Sequence, residues 1–143
     1  MIKFKRQKLL LALSEMILLF RTVYFAHAQE PSPSGFKAIV ESSKIDGIRL
    51  SIKAVQRLQL KAIPYLPAAT LTLKPGAVVH SLGIIGIYRL RDGWYKLIPA
   101  ILVSKGKETM TLKVSDFKNT DQIVTEGVAL LRVAEMDAFG GGE

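Results

Sequence analysis

The chain has 143 residues, 49% of them hydrophobic and 22% charged, with no cysteine and a formal net charge of +8. That length suits one domain, the high apolar content argues against an intrinsically disordered chain, and the missing cysteine excludes disulfides, thiolate metal sites and cysteine-linked lipid. The basic balance points to a polyanion partner only weakly. Residues 1–28 hold five of the twenty basic side chains (Lys3, Lys5, Arg6, Lys8 and Arg21) and one of the twelve acids, Glu15, so the remainder carries only +4.

The first 28 residues read as a signal peptide. A basic opening, Lys3 to Lys8, precedes an apolar stretch, and Ala26-His27-Ala28 gives the small-x-small end that a signal peptidase accepts, with cleavage after Ala28. Glu15 and Arg21 interrupt the apolar stretch. An ionised side chain near the centre of a membrane helix costs about 2.5–3.5 kcal/mol, which weighs more against a permanent span than against a transient signal. An uncleaved inner-membrane anchor, an interfacial amphipathic helix and an N-terminal core helix stay open as alternatives. Residues 29–35, QEPSPSG, follow as a linker, because Pro31 and Pro33 oppose regular pairing.

Residues 36–136 form the domain, and its texture is mostly β with one short helix. Its pattern predicts a strand over 36–40, a turn at 44–47 and a strand over 48–50. A helix follows over 51–58, capped by Ser51 and facing inward through Ile52, Val55 and Leu58. The segment 59–63 is a strand that stops at Pro64. Lys74-Pro75-Gly76 suits a type II turn between strands at 71–73 and 77–81. The clearest signal is a hairpin of strands 84–90 and 94–103 around Arg91-Asp92-Gly93, with Pro99 expected at an edge or a bulge. After a turn at 104–108 come strands over 109–114, 122–125 and 128–133, the last two separated by a Glu126-Gly127 turn. Residues 137–143 read as a flexible Gly-rich tail.

Catalytic chemistry finds few of its usual parts. Beyond residue 28 the single histidine is His80, with no second histidine and no carboxylate two residues away, which suits a half-exposed strand residue better than a ligand or base. Met110 and Met136 are of the type that binds soft copper, but isolated methionines on separate segments read as packing residues. Gly83-x-x-Gly86 does not sit between a strand and a helix and makes no phosphate cradle. No cofactor and no metal are expected, and the chain reads as a protein that is not an enzyme. Trp94 and Tyr95 beside Arg89 and Arg91 do match the aromatic and basic surface of single-strand nucleic-acid binders. A small basic β-barrel binding an anionic polymer is therefore the alternative function.

Three segments in order resemble one family. IRLSIKAVQRLQLKAIP (48–64), PGAVVHSLGIIGIYRLRDGWYKLIPAILV (75–103) and DQIVTEGVALLRVAE (121–135) are similar to successive stretches of the periplasmic adaptor subunits, or membrane fusion proteins, of tripartite RND-type efflux pumps. The resemblance covers about residues 48–136, the carboxy-terminal part of such an adaptor only. It implies a small β-barrel or membrane-proximal-type β-domain, a periplasmic location, and contact with an inner-membrane efflux transporter and with other adaptor subunits rather than nucleic acid. It also implies that Arg89, Arg91, Asp92, Gly93 and Trp94 lie on the contact surface. Two departures stand out: no helical hairpin or lipoyl-like domain fits between Gly35 and Ile48, and Thr120 replaces the glycine that usually precedes Asp121.

Overall fold

The computed structural model describes residues 37–140. The predicted leader with Ala26 and Ala28, the linker and the last three residues of the tail lie outside them. The described chain runs β1 (Ile39–Ser43), β2 (Gly47–Leu50), α1 (Ile52–Arg57), β3 (Lys61–Pro64), β4 (Leu71–Leu73), a 3-10 turn (Pro75–Ala77), β5 (Val79–Ser81), β6 (Ile84–Arg91), β7 (Trp94–Lys105), β8 (Met110–Val114), β9 (Gln122–Glu126) and α2 (Val128–Ala138). The fold is mostly β. All pairings among the described residues are antiparallel, and the main path through the sheet is β1-β2-β7-β6-β9-β3, with β8 on β7, β4 on β8 and β5 on β6. The path does not close, so the sheet is not a barrel.

The β6–β7 hairpin is the spine. Its two strands pair from Gly86 with Pro99 to Arg91 with Trp94, which leaves Asp92 and Gly93 as a two-residue turn. Both residues have positive φ, 51° and 81°, the backbone of a type I′ turn whose twist matches the flanking strands. Asp tolerates that region better than most side chains, and Gly93 adopts it without steric cost.

The hairpin buries both of its faces, which is why its sequence is an apolar run rather than an alternation. Tyr88 and Tyr95 join Ile48, Leu50, Ala54, Val124, Val128 and Leu131 in a core beneath the two helices. On the other face Ile87 joins Leu73, Val78, Met110, Leu112 and Ile123. Full burial of each Val, Leu, Ile or Met side chain here stabilises the fold by about 1.5–3 kcal/mol before ordering costs.

Several expectations shift. The first strand forms at Ile39–Ser43, overlapping the expected 36–40 only at its end, with Phe36 outside the described residues. Helix α1 is capped as expected, Ser51 Oγ accepting from the Ala54 amide at 3.2 Å, but its buried residue is Ala54 and Ile52 is left 79% exposed. Lys74-Pro75-Gly76 makes no type II turn. The chain tightens into a 3-10 turn, with the Ala77 amide donating to Lys74 O and the Val78 amide to Pro75 O. Pro75 stands at its first position, where proline's fixed φ is already helical.

Pro99 is neither at an edge nor at a bulge. β7 is an inner strand, and on its flank away from β6 its partner changes from β2, paired at Trp94 and Tyr95, to β8, paired from Ala100. Pro99 occupies the gap between the two partners, where no ladder donor is required on that side.

The largest correction is at the C-terminal end, where residues 128–133 are not a strand. They open α2, which buries Val128, Leu131 and Glu135 and extends through Ala138 into the predicted tail. Ala, Leu, Arg, Glu and Met are strong helix formers, and the i, i+3, i+7 spacing of the buried residues is helical. Among the described residues no helix is long and apolar enough to cross a membrane.

Candidate functional site: the β6–β7 hairpin tip

Period-two geometry places Arg89 and Arg91 on one face of β6, above the loop 115–121. Arg91 grips Asp121 with two hydrogen bonds, Nε to Oδ1 and Nη2 to Oδ2, each 2.7 Å. Asp121 is fully buried and takes a third bond from the Lys118 amide at 2.7 Å. The Arg91 guanidinium holds the Asp121 carboxyl below the usual carboxylate range, burial opposing it, and the Lys118 amide adds to the fall. Asp121 in turn raises Arg91.

Arg89 is only 6% exposed and donates from Nη1 to both the carboxylate and the backbone oxygen of Asp116, at 2.6 and 2.8 Å. The two arginines therefore strap the loop 115–121 to the sheet. Tyr65 and Phe117 stack beside it with ring centroids 4.9 Å apart.

The tip itself is braced from the neighbouring strand. Arg49, on β2 opposite Trp94, lays its guanidinium 4.7 Å from the Trp94 ring centroid. It also donates from Nη2 to Asp92 O at 3.2 Å and pairs through Nη1 with Glu41 at 3.1 Å. A cation over an indole face contributes about 0.5–1 kcal/mol at an exposed site. The result is an exposed Asp92-Gly93 knob on a stiff base.

The five residues singled out by sequence thus separate into two groups. Asp92, Gly93 and Trp94 stand together at the tip. Arg89 and Arg91 turn their charge away from the tip, to Asp116 and Asp121 on the loop 115–121. Arg49 carried no sequence signal, because its stacking partner lies across a strand pairing that only the register reveals. Asp116 and Asp121 were hidden likewise in a polar connection.

A second polar cluster fastens α2 to the sheet. Tyr88 donates its hydroxyl to Glu135 Oε2 at 2.6 Å, and Arg132 Nη1 donates to the same oxygen at 2.6 Å. Arg132 Nη2 reaches Ser81 Oγ at 3.4 Å, while its buried Nε finds no acceptor in the described chain. Burial first, and then Glu135, push the Tyr88 phenol far above its ordinary range.

His80 lies exposed on β5, Met110 is buried in the second core, and Met136 is half-buried on α2. Among the described residues no three His, Cys, Asp or Glu side chains gather as metal ligands. Compared with known proteins, the chain matches no family model, no curated protein and no solved structure.

Proposed function

We propose that the chain is a non-catalytic, adaptor-like β-domain, exported to the periplasm, that binds an inner-membrane efflux transporter through the β6–β7 hairpin tip. The observation that carries this reading is the braced knob: Asp92 and Gly93 exposed, with Trp94 clamped by Arg49. A partner meeting a preformed surface need not order it on binding, which lowers the entropic cost of association. The order of the three adaptor-like segments is what favours an efflux transporter as the partner. Further adaptor copies would assemble beside it. A protein partner also suits the local charge better than a nucleic acid does, since Arg89 and Arg91 are already neutralised by Asp116 and Asp121.

The test is intact-mass spectrometry of the protein purified from its native envelope, with co-purifying membrane proteins identified in the same sample. A chain beginning at Gln29 together with an efflux transporter supports the proposal. A chain beginning at Met1 without any transporter contradicts both export and the adaptor role.

A further inference from the structure

A cavity of about 380 Å³ opens between the β1–β2 turn, β7 and the C-terminal half of α2, and none of Asp92, Gly93 and Trp94 lines it. Ser43, Lys44 and Gly47 border it from the turn, Lys96 and Leu97 from β7, and Arg132, Glu135 and Phe139 from α2 and its end. Its volume falls in the range of small-molecule pockets.

The charge around this cavity is unbalanced. Three basic residues face one acid, and that acid is engaged: Glu135 Oε2 already accepts from both Tyr88 and Arg132. Asp46, the nearest acid on the turn, is held by Ser43 Oγ at 2.9 Å. Lys44 and Lys96 form no ion pair among the described residues. Arg132 adds a third positive charge to the lining, with its guanidinium held in place by Glu135 and Ser81. Leu97 is half-buried and Phe139 is 41% exposed, so an apolar surface stands beside the two lysines.

We propose that this cavity binds an amphipathic monocarboxylic acid, its carboxylate among Lys44, Lys96 and Arg132 and its hydrocarbon body against Leu97 and Phe139. An apolar ligand without charge would leave the lysines unserved, and a small anion would leave the Phe139 ring in water. Only a molecule with both parts uses the whole lining. The inference goes beyond the transporter reading and does not depend on it.

The test is a titration of the whole chain with sodium octanoate, followed by amide NMR, with octan-1-ol and acetate as single-feature controls. Saturable shifts centred on Gly47, Leu97, Arg132 and Phe139 are expected, with octan-1-ol and acetate each binding at least about fivefold more weakly. The K44Q/K96Q double variant, whose two side chains form no ion pair among the described residues, should weaken octanoate by about fivefold, the loss of two solvent-screened charge pairs. Absence of saturable shifts, shifts centred elsewhere, or octanoate binding unchanged in the double variant would each overturn the proposal.

Discussion

Tyr88 and Glu135, 47 positions apart, are joined by a 2.6 Å hydrogen bond from the phenol to the carboxylate, and this bond ties the centre of β6 to the last helix. Both residues are buried, and the same oxygen of Glu135 also serves Arg132. The bond is charge-assisted, so its loss is felt more than that of a neutral pair. Tyr88→Phe should lower unfolding stability by about 1.5–3 kcal/mol. Glu135→Ala, which strands both Tyr88 and Arg132, should cost about 3–5 kcal/mol. Urea unfolding midpoints with an unchanged slope are the measurement, and a Tyr88→Phe midpoint equal to that of the parent would contradict the bond's role.

Stability at high pH follows from the same phenol. Its folded pKa is raised above the unfolded value of about 10, so the protonated form is favoured in the fold. The contribution is complete below about pH 10 and is lost as pH rises above it. Burial raises Tyr95 in the same sense. Tyr88→Phe should therefore flatten the fall in stability between about pH 10 and 12 without abolishing it, as read from unfolding curves across that range.

The acid limb belongs to Asp121. Arg91 depresses its folded pKa, so its contribution is present above the unfolded value of about 4 and disappears as pH falls below that. Asp121→Asn should make stability less sensitive to acid while lowering it at neutral pH. Because Arg91 is one-fifth exposed, the neutral-pH loss should lie near the lower end for a broken buried pair, about 3 kcal/mol. Hydrogen exchange should localise the loosening to the loop 115–121.

Two glycines give a paired comparison. Gly47 has φ of 100°, and a Cβ there would stand 2.1 Å from Tyr95 O, whereas a Cβ at Gly76 meets nothing within 4 Å. Gly47→Ala should destabilise by more than about 3 kcal/mol, through strain and collision with backbone that cannot move cheaply. Gly76→Ala should change stability by less than about 1 kcal/mol and in the favourable direction. Thermal unfolding of the two variants side by side checks both.

What was legible in the sequence was what short-range chemistry determines. Asp92-Gly93 between two apolar runs announces its hairpin, and Ser51 announces the start of α1, because in each case the backbone requirement and the residue that meets it are adjacent. Helix α2 was not legible, because the charged Glu135 sits on its buried face and breaks the apolar stripe that would have marked it. Its solvent side carries Leu130 and Val133, 54% and 64% exposed, which blurs the pattern further. The fates of Arg89 and Arg91 were equally hidden. Their acids lie 27 and 30 residues away, on a loop whose position depends on how β6, β8 and β9 pair. A basic residue beside a tryptophan looks the same in sequence whether its charge faces a partner or an internal carboxylate.

In the proposed function the Asp92-Gly93 knob makes the partner contact, which site-specific photo-cross-linking in the native envelope can read residue by residue. A photoreactive residue replaces Asp92 in one sample and, as a control, Ile101, an exposed residue on the far half of β7, in another. A cross-link to an inner-membrane transporter is expected from position 92, lost when Arg49→Ala loosens the tip, and none from position 101. Cross-links to the transporter from position 101 with none from position 92 would contradict it.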